Sequence, residues 1–188
     1  GKSTTAAAFA DLGYGILAED VVTLDDRRTV FLVEPAYPCI RLWPASVKAL
    51  YGPDADLPKL TPTWDKCYLD LNQEQYKFWQ EPLPLAAIYL LGDRSDDTSA
   101  PFVREVSISQ AMIALVANTY TTYLMDKPMR ARGFELFGRV LAQVPMRQVI
   151  PHTDSSRLQA LCDRIIEDFE GLKTAKHEAT DHEHSLHV

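Results

Sequence analysis

Gly1-Lys2-Ser3-Thr4, followed by Thr5-Ala6-Ala7-Ala8-Phe9-Ala10-Asp11-Leu12-Gly13-Tyr14-Gly15-Ile16-Leu17-Ala18-Glu19-Asp20, is the stretch from which the fold is read. Its first four residues match the end of the phosphate-binding pattern GxxxxGK[ST]. In such a loop, backbone N–H groups around the glycine and the helix N-terminus cradle phosphate oxygens. The lysine reaches the β and γ phosphates of a nucleotide and the hydroxyl ligates Mg2+. Lys2 and Ser3 take those roles here, with Gly1 and Thr4 completing the phosphate-binding run. Four residues alone arise by chance in long chains, so the residues that follow decide. Residues 3–12 favour helix through the alanine run, with Phe9 and Leu12 as apolar contacts. Gly13 is placed to end that helix in a left-handed conformation.

Residues 15–18 then read as a strand continuing toward residues 21–24, and Glu19-Asp20 sits near a strand end. One carboxylate, Asp20 in this reading, holds Mg2+ directly or through water. The other, Glu19, is the candidate base for an attacking hydroxyl. Adjacent strand residues point to opposite faces, so both serve one site only if the strand ends or bulges there. Asp25-Asp26-Arg27-Arg28 reads as a turn, and residues 29–33 as the return strand of a hairpin.

Farther along, prolines 35, 38 and 44 punctuate a segment containing Cys39-Ile40-Arg41-Leu42-Trp43. A short helix is expected over 45–51, closed by Gly52. A proline-rich loop follows over 52–63, and then a strand over 67–71. The apolar run 85–91 suggests a strand covered on both faces. Another strand is expected over 102–106. Ser107 and Gln110 have the spacing of a capping box before a helix over 112–124. A second helix carries Phe134, Phe137, Val140 and Leu141 on one face, and a short strand covers 147–150. Leu158, Leu161, Cys162, Ile165, Ile166 and Phe169 then follow helical spacing. From Lys173 onward the residues are polar, and a disordered tail is expected over 173–188.

The opening stretch, extended through Val21-Val22-Thr23-Leu24, resembles the core of the HPr kinase/phosphorylase-like serine kinases. That group shares the phosphoenolpyruvate carboxykinase-type nucleotide fold. The segments Pro38-Cys39-Ile40-Arg41-Leu42-Trp43-Pro44, Lys66-Cys67-Tyr68-Leu69 and Pro84-Leu85-Ala86-Ala87-Ile88-Tyr89-Leu90-Leu91 resemble its shorter members, which are often found beside peptide-maturation genes. The resemblance spans roughly residues 1–170. It implies an α/β fold, with a P-loop nucleotide-binding core and a mostly helical C-terminal part. It also implies ATP and Mg2+ as cofactors and the serine of a protein or peptide as acceptor. Where the family usually has Asp-Asp, this chain has Glu19-Asp20, one methylene longer at the first position. The chain opens inside the motif, so residues 1–172 are expected to be the C-terminal kinase domain of a longer protein.

Arg41, between apolar neighbours and prolines, reaches a phosphate from a loop or pairs with a surface acid. Lys66, just before a strand, faces a nucleotide or protein phosphate or guards a strand edge. Trp43, Trp64 and Trp79 read as core or interface. The tail histidines His177, His182, His184 and His187 are irregularly spaced and read as solvated, and His152 carries no role.

Composition bounds the alternatives. The 188 residues hold 19 Lys and Arg against 26 Asp and Glu, a net charge of −7, which argues against a nucleic-acid partner. Three scattered cysteines with no CxxC spacing argue against a disulfide framework or a zinc site and fit a reducing cytosol, so a cytoplasmic protein is expected. Residues 106–125 carry no charge, but their Ser, Thr, Gln and Asn read as a buried or half-buried helix, not a membrane span. The expected partner is a protein or peptide with an acceptor hydroxyl, with a homo-oligomer left open. A scaffold that binds ATP without turnover is the alternative, and Glu19 would suit it. A carboxykinase-type enzyme acting on an organic acid would need further metal ligands, and no matching His/Lys cluster is seen.

Overall fold

The computed structural model describes residues 1–120 and 122–185, the side chains of 176–185 excepted. The chain is mixed α/β. Its strands form three small three-stranded sheets, and five α-helices occur among the described residues. Helix α1, Lys2–Asp11, starts at the lysine itself, with Gly1 as its N-cap residue. Its buried residues are Thr5, Ala7, Ala8 and Ala10. These small side chains let the helix lie close against Ile40, Leu42 and Ile16 in one apolar cluster. Gly13 follows at φ +84°, the left-handed geometry expected of it.

The strand expected over residues 15–24 is not continuous. Residue 16 makes a single parallel bridge to Phe78, through Ile16 N–H to the Lys77 carbonyl and Trp79 N–H to the Ile16 carbonyl. The reason is long-range. Trp79 packs onto Gly15 so tightly that a Cβ there would sit 1.9 Å from the indole nitrogen. The chain then bends, and strand pairing resumes only at β1, Leu24–Asp26, antiparallel to β2, Phe31–Val33. Asp25 and Asp26 thus lie in the strand and not in the turn. The turn falls over residues 27–30, closed by Arg27 N–H to the Val30 carbonyl, with Arg28 at φ +67°. Asp26 accepts the Arg28 N–H and pairs with Arg139 at 2.5 Å.

The second sheet centres on β5, Trp64–Asp70, flanked by β3, Cys39–Leu42, and β4, Lys59–Thr61, both antiparallel to it. Strand β4 lies inside the stretch expected to be loop. Pro58 and Pro62 bound it, which an edge strand tolerates because one side needs no donors. Helix α2, Pro44–Tyr51, has proline in its first turn and Gly52 at φ +97° as its C-cap.

Of the run expected as one strand over 85–91, only β7, Ile88–Leu91, is strand, and β6, Leu83–Pro84, which joins β2, lies just before that run. Strand β7 runs parallel to β9, Met146–Ile150, whose other edge takes β8, Phe102–Glu105, antiparallel. Helix α3, Ile108–Ala117, begins on the expected capping box but stops at Asn118, short of residue 124. Helix α4 is Lys127–Gln143, capped by the Asp126 carboxylate.

Helix α5, Leu158–Ser185, buries Leu161 and Cys162 and continues past Lys173. Residues 173–185, expected in the disordered tail, therefore have helical backbone. They contain no proline or glycine, and elongating a nucleated helix costs little. Residues 186–188 lie outside the described residues. No helix among the described residues is long and apolar enough to cross a membrane.

Candidate functional site

Gly1 to Thr4 occupy the first turn of α1, where backbone N–H groups have no acceptor within the helix. Lys2 is exposed and makes no hydrogen bond or ion pair among the described residues. The Ser3 hydroxyl donates to Oε1 of Glu19. Thr4 Oγ1 donates to Ser46 Oγ at 2.8 Å, tying α1 to α2. Buried Thr5 donates to the Gly1 carbonyl at 3.1 Å.

Glu19 and Asp20 converge on Arg41. Its Nε donates to Glu19 Oε2 at 3.3 Å, and its Nη2 donates to Asp20 Oδ2 at 2.6 Å. Two adjacent residues of a regular strand could not both do this. The bend after Ile16 permits it. Arg41 is fixed by alternation on β3, because its neighbours Ile40 and Leu42 are both 0% exposed and point into the core. Burial works against the charge of Arg41. The hydrogen bonds and charges of Glu19 and Asp20 outweigh it, so its pKa is raised further. The two carboxylates differ in setting: the Glu19 side chain is 5% exposed and the Asp20 side chain 57%.

Lys66 stands apart from this cluster. Register pairs Arg41 with Tyr68, which puts Lys66 two residues away on the same face of β5. Its ammonium lies 5.2 Å from the ring centroids of both Trp43 and Trp64, which meet edge to face at 6.5 Å. Both tryptophans are about half exposed, and Trp79 covers Gly15 while stacking under Lys77 at 4.2 Å.

A cleft of about 2010 Å3 opens beside the start of α1. Gly1, Lys2, Thr4, Asp20 and Ser46 are among its lining residues. Arg94, on the loop after β7, and Phe134 of α4 lie among its other lining residues. Ser46 and Arg94 were not singled out from sequence. Both sit in ordinary contexts, a helix start and a polar loop, that carry no local signal. His152 also lines the cleft, and its Nδ1 accepts the Asp154 N–H at 2.9 Å. The tail histidines lie outside the described side chains, and no group of three or more potential metal ligands occurs among the described residues.

The structure thus brings Ser3, Glu19, Asp20 and Arg41 together and gives Lys2 and Asp20 a common cleft. It leaves Lys66 between two indoles. Comparison with protein-family models, with curated proteins and with solved structures gives no match.

Proposed function

We propose that this protein is an ATP- and Mg2+-dependent kinase with a nucleotide-binding core of the phosphoenolpyruvate carboxykinase/HPr kinase type. It phosphorylates the serine, or another hydroxyl, of a protein or peptide. The observation that carries the reading is the hydrogen bond from Ser3 to Glu19 at the N-terminus of α1, the helix that begins with Lys2, which makes no hydrogen bond or ion pair among the described residues. A hydroxyl and a carboxylate there are hard oxygen donors, which suit Mg2+. Ser3 and Glu19 would hold the ion, which would supply positive charge against the phosphates when bound.

The surroundings support a division of roles opposite to the one expected from sequence. Glu19, buried against Ser3, would hold the metal with that hydroxyl. Asp20, exposed and lining the cleft with Lys2, would accept the proton of the acceptor hydroxyl as its oxygen bonds to the γ-phosphorus and ADP leaves. Lys2 and the N–H groups of the first turn would bind phosphate oxygens.

A second reading, nucleotide binding without turnover, draws on one observation: Arg41 already engages both carboxylates. Radiolabelled ATP with hydroxyl-bearing proteins and peptides separates the two. Transfer of label that Lys2→Ala abolishes supports the kinase. Saturable ATP binding with no transfer supports the second reading. ATP affinity and turnover both unchanged in Lys2→Ala would retire the P-loop assignment.

A further inference from the structure

Arg41 is held by the sequence in one place. Ile40 and Leu42 anchor β3 in the core, and the pairing of Arg41 with Tyr68 fixes its register. Its guanidinium therefore projects from the opposite face of the strand, where Glu19 and Asp20 meet it. Two carboxylates on neighbouring residues repel one another electrostatically. The forked guanidinium removes that conflict by donating to both at once, which a single ammonium does less well. Glu19 also accepts from Ser3, the hydroxyl assigned above to the metal.

We infer that Arg41 is a positioning residue that occupies the charge position of the divalent cation: it holds Glu19 beside Ser3, pairs with Asp20 at the same time, and must release Glu19 for the cation to bind. The inference rests on the proposed metal role of Ser3 and Glu19. A guanidinium has five N–H groups, and Arg41 uses its Nε and Nη2 on the two carboxylates. Its Nη1 has no partner among the described residues. The same group is thus free to take a phosphate oxygen once Glu19 passes to the cation. Arg41 exchanges one anionic partner for another, and the arrival of the metal nucleotide costs no isolated charge.

The test uses Mn2+ as the probe, with free Mn2+ counted by electron paramagnetic resonance, in wild type, Arg41→Met and Arg41→Lys. Removing a unit charge within hydrogen-bond reach of both carboxylates should tighten Mn2+ binding by about tenfold or more in Arg41→Met. Arg41→Lys keeps the charge and should stay close to wild type. A purely structural arginine would give the reverse, because its loss would scatter the carboxylates and weaken Mn2+ binding. Unchanged or weaker binding in a folded Arg41→Met protein overturns the inference, as does the absence of Mn2+ binding in every form. Should Arg41→Met fail to fold by circular dichroism, Arg41→Gln removes the charge, keeps two donors and carries the same expectation. ATP turnover in the same preparations reports separately on the kinase. A Mn2+ shift without turnover in wild type retires the kinase and keeps the role of Arg41, whereas turnover without the shift does the opposite.

Discussion

Glu19 and Asp20 are adjacent in sequence and unlike in environment. One is nearly buried against Ser3, and the other is more than half exposed to the cleft. Under the proposed kinase reading the two therefore fail differently when neutralised. Glu19→Gln should raise the Mg2+ concentration needed for half-maximal turnover, because it weakens the donor set around Ser3. Asp20→Asn should leave Mg2+ and ATP affinity near wild type and slow phosphoryl transfer. A positioned base is worth roughly two to four orders of magnitude. The loose transition state of phosphoryl transfer draws less on a base, so the lower end is expected. Single-turnover rates with the true acceptor, measured across a Mg2+ titration, distinguish the two variants. Interchanged phenotypes would restore the division expected from sequence. Wild-type rates in both would make the acidic pair structural.

Helix starts are where the sequence was most legible, because caps are local chemistry, whereas α3 stops short of residue 124 and α5 runs past Lys173. Ser107 and Gln110 form the reciprocal capping box, and Pro44 and Gly52 bracket α2. Replacing Ser107 with Ala removes an acceptor for the Gln110 N–H and should cost about 1 kcal/mol, read as a lowered denaturant midpoint with an unchanged slope. The strands were less legible, because pairing depends on partners far along the chain. Nothing local to Gly15 announces Trp79, and it is that contact, with the Phe78 bridge, that interrupts the expected strand. Strand β4 forms because β5 offers it an edge, and residues 59–61 carry no pattern of their own. The candidate site divides in the same way. Gly1 to Thr4 and the acidic pair could be picked out from order and spacing. The meeting of Glu19 with Arg41, 22 residues on, could not, because the bend that allows it is set by tertiary packing. The aromatic hold on Lys66 likewise required the register of β3 against β5.

At the scale of the molecule, two separate apolar clusters do different work. The larger joins α1, β3, α2 and β5 through residues such as Ala7, Ile40, Leu42, Val47 and Leu69, so it sets where Ser3 stands relative to Arg41. The smaller gathers Phe31, Val140 and Val144, with Leu24 and Ile88 against them. Truncation in each should therefore be separable. Leu42→Ala removes a 0% exposed side chain next to Arg41 and should cost about 2–5 kcal/mol, the range for a buried leucine. Val140→Ala, 1% exposed, deletes two methyl groups and should cost about 2 kcal/mol. The thiols make the distinction visible. Cys67 is buried inside the larger cluster, while Cys162, buried on α5 with its pKa pushed up to about 11 by desolvation, belongs to neither. Local opening of the larger cluster in Leu42→Ala should accelerate modification of Cys67 by a thiol reagent. Val140→Ala should leave Cys67 protected as in wild type, and Cys162 should stay slow in both. A thiolate is the reacting form, so Cys162 stays unreactive at neutral pH for as long as it is buried. The same two variants should divide the Mn2+ measurement, with binding disturbed in Leu42→Ala and preserved in Val140→Ala. Equal disturbance by both would mean that the two clusters open together and that the site depends on the whole fold, not on the packing beneath β3.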